Sequence, residues 1–240
     1  MYGLLSKLDK KALKIICDAG QLASGLGFRA YLVGGPMRDL ILGRLNVDLD
    51  IAVEGNGIRL AETFADLYQT INITRYPAFK TATVQISRSL VVDFATARSE
   101  SYSRGGAFPK VAVSDIKQDL WRRDFTINAI AISINPENWG KLVDPFGGLT
   151  DLRARRIRIL HPKSFLDDPT RIIRAARFKA RLGFSIERKT LQCLKEAVSA
   201  GALDTIKPQR YKKDFDKIFK EKTSQKAIQY LKSWKAYRRN

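Results

Sequence analysis

Residues 31–53, YLVGGPMRDLILGRLNVDLDIAV, constrain the fold of this chain more than any other stretch. The apolar run Tyr31–Val33 reads as a short strand. Gly34-Gly35 and a helical segment over 36–42 follow, and a second apolar strand then carries Asp48 and Asp50 among Val47, Leu49 and Ile51. Residues two apart on a strand point the same way, so the two carboxylates converge on one face while the apolar side chains bury on the other. Two convergent carboxylates repel unless a cation sits between them, and hard oxygen ligands suit Mg²⁺. The glycines let backbone approach a phosphate closely, and the helix behind them offers N–H groups to an anion. Arg38, within that helix, is suited to phosphate. The same pieces also fit a glycine turn with two surface acids on an edge strand. Taken together, they describe a site for a metal-bound nucleoside triphosphate.

Charge narrows the partners. The net charge is +19 over 240 residues, and it is unevenly placed: residues 1–150 carry +3 and residues 151–240 carry +16. A near-neutral front and a strongly basic back suggest a catalytic domain with a polyanion-binding extension, and nucleic acid is favoured over a membrane surface because basic and apolar residues alternate at core spacing. No run of 18 apolar residues occurs and the N-terminus lacks a signal-peptide pattern, so a cytoplasmic protein without a membrane span is expected. Cys17 and Cys193 lie far apart in apolar helical patterns and read as core thiols. One histidine, His161, cannot support triad or histidine–metal chemistry, which directs any enzymology to carboxylates and metal.

In chain order, residues 6–26 read as an amphipathic helix opened by a Ser6–Asp9 capping signature. Gly55-Asn56-Gly57 is a turn before a helix through Leu60, Phe64 and Leu67. Strands follow at 71–74, 81–86 and 90–96. The last places Asp93 in an apolar run, either as a third site carboxylate or paired with a nearby arginine such as Arg98. Residues 99–115 read as a long loop. In LWRRDFTINAIAI, Arg122, Arg123 and Asp124 precede a buried run of Phe125, Ile127, Ala129 and Ile130. Two guanidiniums suit a triphosphate and a carboxylate suits a ribose hydroxyl, although a charged helix end would look the same. DPFGG, over 144–148, is a turn, and a basic strand is expected over 153–160. From Phe165 the pattern is helical: Asp167 and Asp168 sit where caps belong, Ile172, Ile173, Ala176 and Phe178 are apolar, and Arg171, Arg174, Arg177 and Arg181 form a solvated or RNA-facing stripe. Helices are expected at about 187–200, 207–220 and 224–237. The WKAYRRN tail suits RNA stacking or a frayed end.

These stretches resemble the class II tRNA nucleotidyltransferases, the CCA-adding enzymes with their A-adding, CC-adding and bacterial poly(A) polymerase relatives, in the DNA polymerase β-like superfamily. GGPMRD with DLD is similar to the family's first motif, RRDFTINA to its ribose and triphosphate motif, and DDPTRIIRAARF to its base-selecting EDxxR motif, with Asp167 in place of the usual Glu. KPQRYKKDFDKI matches the family's helix-capping element only loosely, through Arg210. The resemblance covers roughly residues 25–220. It implies an α+β fold: a polymerase β-like head (palm) domain with a mixed sheet and flanking helices over 1–155, then an all-α neck over 156–240. It also implies template-independent addition of C and/or A from CTP or ATP to the 3′ end of tRNA, with pyrophosphate released. Asp48 and Asp50 would hold two Mg²⁺ ions, with Asp93 as a third catalytic carboxylate. Nucleotide would be bound by Gly34, Gly35, Arg38, Arg122, Arg123, Asp124, Asn128, Asp168, Arg171, Arg174 and Arg177. Asp168 would accept from the exocyclic amine of C or A, and Arg171 would donate to the adjacent ring nitrogen.

The family usually continues into a body and tail that grip tRNA, so this chain reads as a minimal enzyme, a fragment, or a domain working with an oligomeric or other partner. Poly(A) addition to general RNA 3′ ends fits the same motifs. A catalytically silent RNA binder would have no physical reason to keep two repelling carboxylates.

Overall fold

The protein is described here as a computed structural model covering residues 3–44, 49–70, 72–88 and 90–237. Asp48, Ile71, Ser89 and the last three residues of the tail lie outside the described residues. The chain forms two compact units, one of Met1–Ser99, Val111–Arg123 and Asn128–Leu149, the other of Glu100–Lys110, Asp124–Ile127 and Thr150–Asn240.

In chain order the elements are α1 (Lys10–Gly25), β1 (Arg29–Val33), α2 (Gly34–Ile41), β2 (Leu49–Glu54), α3 (Gly57–Leu67), β3 (Ile73–Tyr76), β4 (Thr81–Ser87), β5 (Leu90–Thr96), β6 (Arg98–Ser101), β7 (Lys110–Val113), α4 (Ile116–Trp121), β8 (Ala131–Ser133) and β9 (Leu142–Val143). There follow α5 (Gly148–Arg153), β10 (Arg156–Ile157), α6 (Ser164–Asp167), α7 (Thr170–Leu182), β11 (Ser185–Ile186), α8 (Arg188–Ser199), α9 (Pro208–Phe219) and α10 (Ser224–Ser233).

The first unit is built on a mixed seven-stranded sheet in the order β3-β4-β5-β2-β1-β8-β9. Strand β2 runs parallel to β5 and antiparallel to β1. On β4 and β5, Ala82, Val84, Val92 and Phe94 are buried and alternate with more exposed neighbours, as a sheet covered on one face requires, whereas Ile51, Ala52 and Val53 of the central β2 are all buried. Helices α1 and α3 pack against the sheet. Helix α1 buries Ala12, Ile15, Ile16, Ala19 and Ala23, the spacing of one helical face. A Cβ on Gly20 would lie 1.8 Å from the Ile134 carbonyl oxygen, so only glycine allows this helix to sit so close. The helix is capped by Asp9, whose carboxylate accepts from the Ala12 N–H at 2.8 Å. Ser6, expected in the cap, instead donates its hydroxyl to the Gly3 carbonyl and belongs to a short 3₁₀ turn over Leu5–Lys7.

In the second unit α7 is the central helix. It buries Ile172, Ile173, Ala175, Ala176 and Phe178 and packs against α9 and α10. The Phe178 ring meets Phe125 edge-on at 5.9 Å. Trp234, expected in an RNA-stacking or frayed tail, is 9% exposed and stacks on Tyr230, because it closes the last turn of α10 over the core.

Three further expectations change. The 99–115 stretch is not a plain loop: β6 and β7 pair as a two-stranded ribbon around its Gly/Pro-rich centre. The basic strand expected over 153–160 is the end of α5 followed by the two-residue β10, since Asp144 accepts from the Gly148 and Leu149 N–H groups and starts a helix there. Cys17 and Cys193 are free thiols at half-buried positions rather than in the core. None of the described helices is long and apolar enough to cross a membrane.

Candidate active site

The first unit gathers most of the expected nucleotide site. Helix α2 begins at Gly34 directly out of β1, with Val33 at its N-cap and no side chain capping its first turn. Gly34 has φ +76°, and a Cβ there would lie 2.9 Å from Arg123 Nη1 and 3.3 Å from Asp50 Oδ2. The positive φ favours glycine, and any side chain there would displace the Arg123 guanidinium and crowd Asp50. Gly35 is not equivalent to it: the nearest group to a Cβ there is Arg38 Nη2 at 3.7 Å, ordinary contact.

Asp50 and Asp93 are Cα partners across the parallel β2–β5 pair, so their side chains leave one face side by side. Asp93 is exposed, and its Oδ1 accepts the Thr83 hydroxyl at 2.5 Å. It does not pair with Arg98, which donates Nη1 to the Phe79 carbonyl at 2.6 Å. The apolar strand around Asp93 buries only alternate residues, and the acid falls on the open side.

Arg38, expected to meet phosphate, is 2% exposed. It donates Nε and Nη2 to Asp39 at 2.9 and 2.8 Å and Nη1 to Asn128 Oδ1 at 2.7 Å. Its role in this structure is to tie α2 to Asn128 of the RRDFTINA segment, with Asn128 itself buried.

Arg122 and Arg123 converge on Asp119, which is fully buried. Arg122 donates Nε and Nη2 to Oδ1 at 3.0 and 2.6 Å, and Arg123 donates Nη2 to Oδ2 at 2.8 Å. The Arg98 N–H reaches Oδ1 at 3.3 Å. Burial alone would raise the Asp119 pKa, but the guanidiniums of Arg123 and Arg122 outweigh it and hold the carboxyl below its ordinary value. Arg123 Nε is buried and makes no hydrogen bond among the described residues. A buried guanidinium donor without a partner, beside a glycine cradle, is an unmet demand for an acceptor. Asp119 was not singled out from the sequence, although an acid three and four residues before two arginines on a helix is the readable signal.

The second unit holds the remaining site residues. Asp124 is 5% exposed; it accepts from Arg174 Nε at 2.8 Å and from its Nη2, and it also accepts the Phe125 N–H. The Asp124 carboxylate, ahead of the opposing effect of burial, raises the Arg174 pKa. Arg171 is 4% exposed and donates Nη1 to Ser164 Oγ at 2.6 Å. Arg177 and Arg181 flank Glu221 as ion pairs at 3.5 and 4.0 Å. Arg171, Arg174 and Arg177 are thus not a solvated stripe: each is turned to a partner far away in sequence or seven residues back, while Arg181 is exposed.

Asp168 is not a plain N-cap of α7, whose cap position is Pro169. Its Oδ1 accepts from the Thr170 N–H and hydroxyl at 3.1 and 2.7 Å and meets Arg210 Nη2 at 2.9 Å. Oδ2 receives no hydrogen bond among the described residues. Arg210 also donates Nη1 to the Gly106 and Ala107 carbonyls at 3.2 and 3.3 Å.

Among the described residues no group of three His, Cys, Asp or Glu side chains is placed to hold a metal; Asp48 lies outside them. The in-register pair Asp50 and Asp93, with the steric opening at Gly34 on Asp50, fits a hard divalent cation in donor chemistry.

The chain is 52% identical over 175 residues to an A-adding tRNA nucleotidyltransferase of Aquifex aeolicus, covering 73% of this chain and 21% of that one. It is 42% identical over 221 residues to an A-adding tRNA nucleotidyltransferase of Geobacter sulfurreducens, covering 92% of this chain and 25% of that one. It therefore spans a quarter or less of the length of these two curated relatives. A solved CCA-adding enzyme, apo form II, superimposes with a TM-score of 0.91 at 40% identity, over 97% of this chain and 55% of that one. Residues 30–158, more than half of the chain and the segment that carries Gly34, Asp50, Asp93 and the two guanidiniums on Asp119, match the poly A polymerase head domain, and the protein belongs to that family.

Proposed function

We propose that this chain carries out template-independent nucleotidyl transfer, adding A and/or C from ATP or CTP to the 3′ end of tRNA with release of pyrophosphate. The observation that carries the reading is the cradle at Gly34, where Asp50 Oδ2 and Arg123 Nη1 both close on the space a side chain would occupy and a buried Arg123 Nε lacks an acceptor. A phosphate oxygen supplies that acceptor. Solved relatives described as CCA-adding enzymes in complex with CTP, with ATP and with tRNA support the same substrates.

In this reading the 3′-hydroxyl oxygen of the RNA attacks the α-phosphorus, the bond to the β-bridging oxygen breaks, and pyrophosphate leaves. Arg123, braced by Asp119 together with Arg122, holds the triphosphate against the cradle. Asp48, Asp50 and Asp93 would hold Mg²⁺, which would supply charge neutralisation of the phosphates and a lowered pKa for the attacking hydroxyl. In the second unit Asp168, with Oδ1 tied down, offers Oδ2 to the exocyclic amine of C or A. Guanine and uracil present a carbonyl in that place and leave the carboxylate unpaired. Arg171 completes the choice, and Asp124 serves the ribose. A cytoplasmic location suits these substrates.

The test is single-turnover extension of three tRNA transcripts, ending at the discriminator base, after one C and after two, each offered one nucleotide at a time beside a non-tRNA RNA. Defined addition confined to tRNA is expected. Long A-tails on any RNA would replace the reading by poly(A) polymerase, and absence of extension with RNA bound and Mg²⁺ present would overturn it.

A further inference from the structure

Strand pairing sets four side chains in one row. Thr74 on β3 is the Cα partner of Thr83 on β4, Thr83 of Asp93 on β5, and Asp93 of Asp50 on β2. Directly opposed residues project to the same side of a sheet, so the row lies on the face that carries the acids. Two threonines thus lead to two carboxylates across four adjacent strands. Only one of the hydroxyls is used among the described residues: Thr83 Oγ1 donates to Asp93 Oδ1. Asp93 Oδ2 takes no hydrogen bond among the described residues, and neither does the Thr74 hydroxyl.

From this arrangement we propose that Thr83 is a positioning residue for the proposed transfer reaction: its hydroxyl fixes the Asp93 carboxylate, one oxygen held and one presented, beside Asp50 for a divalent cation. The inference rests on the reaction proposed above. The physical need is specific. Asp93 is exposed, so no packing selects its rotamer, and Asp50 next to it repels it; without a tether the two carboxylates rotate apart. A donor from the opposite strand is the shortest tether available, since paired Cβ atoms lie about 5 Å apart. Threonine suits the post because its β-branch restricts χ1 and favours the strand, so the hydroxyl is aimed before any ligand arrives. The tether also occupies Oδ1, leaving Oδ2 as the oxygen that meets the cation. Thr83 touches neither substrate nor cation in this account and acts through Asp93 alone.

Three variants of the full chain test it: Thr83→Val, which keeps shape and loses the hydroxyl; Thr83→Ser, which keeps the hydroxyl; and Thr74→Val, the same change one strand further along the row. The readouts are single-turnover kcat and KM for ATP, Mn²⁺ affinity measured by water-proton relaxation without RNA, and thermal midpoint. Thr83→Val is expected to weaken Mn²⁺ binding and lower kcat about tenfold or more, with KM and thermal midpoint near wild type, because a hydrogen bond to a charged group is lost at an exposed site. Thr83→Ser should restore both, and Thr74→Val should change neither. Wild-type Mn²⁺ affinity and kcat in Thr83→Val would overturn the proposal, as would a Thr83→Ser defect equal to that of Thr83→Val. If the wild-type chain transfers no nucleotide, the reaction proposed above falls, and Mn²⁺ affinity alone then decides whether Thr83 sets the carboxylate pair.

Discussion

Arginines in the two units look alike in sequence and differ in what surrounds the donors their partners leave over: a glycine cradle at Arg123, an acid at Arg177. In the first unit Arg122 and Arg123 share one buried acid, Asp119, and Arg123 keeps a buried Nε without an acceptor beside Gly34. In the second, Arg171 and Arg174 close on Ser164 and Asp124, while Arg177 faces Glu221 at 3.5 Å and its buried Nε likewise takes no hydrogen bond among the described residues. The difference teaches that formal charge is a poor map of available charge. The front unit, nearly neutral by composition, holds a cation with an unmet bond. The back unit, at +16, spends much of its guanidinium on internal pairs. What remains for a polyanion there is a set of exposed basic side chains without an ion pair among the described residues: Arg153, Arg155 and Arg188, with Lys213 on α9 and Lys220 at its C-cap.

The largest way to break this contrast is Asp119→Ala. It leaves two mostly buried guanidiniums without their anchor and is expected to cost about 3–5 kcal/mol in urea unfolding. Acid adds a second signature. Because the native carboxyl is held below its ordinary value of 3.8, Asp119 contributes its full stability above that pH and loses it only as pH falls through the lower native value. Asp119→Asn should flatten the acid limb of the stability profile below about pH 4, and an unchanged limb would detach Asp119 from that limb. Gly34→Ala comes next. Strain at positive φ costs about 1–2 kcal/mol, and the new methyl pushes on Arg123, so ATP affinity should fall about tenfold or more while RNA affinity holds. Equal ATP binding by calorimetry would remove phosphate from the cradle.

Smaller effects sharpen the other side. Arg177→Gln should lower stability by about 1 kcal/mol and leave the salt dependence of RNA binding unchanged, because the guanidinium already faces Glu221. The double change Lys213→Gln, Lys220→Gln should leave stability alone and reduce the slope of log affinity against log salt by about 2. Reversal of these two results in a filter-binding titration would mean that the arginines, not the lysines, face the RNA.

Local signals carried much of the site. Glycine at a strand-to-helix junction, an acid in an apolar strand and paired arginines are each written within a few residues, and the structure places Gly34 at the start of α2, Asp50 on β2 and Arg122 and Arg123 on Asp119. What sequence could not carry is long-range pairing. The α7 arginines recur at helical spacing, which on its own reads as a wet stripe; their partners Asp124 and Glu221 lie about 50 and 44 residues away. The Arg38 partner is hidden in the same way, since Asn128 is 90 residues on. Asp93 reads from sequence either as a third site carboxylate or as a partner of Arg98; a strand with one covered face leaves every second position open, and Asp93 falls on one of these. The 99–115 ribbon was hidden by its Gly/Pro centre, which drew attention from the alternating KVAV flank.

The placement of β5 between β2 and β4 has a consequence for the order of assembly. Asp50 meets its neighbour Asp93 only after α3, β3 and β4 have intervened in the chain, and the β2–β5 pairing is parallel, which no tight turn can make. A ribosome-bound chain that has emerged only through β4 therefore carries Asp50 without the facing acid. The repulsive pair is created by the same late closure that completes the sheet, so the hydrophobic gain of inserting a central strand arrives together with the electrostatic cost it must offset.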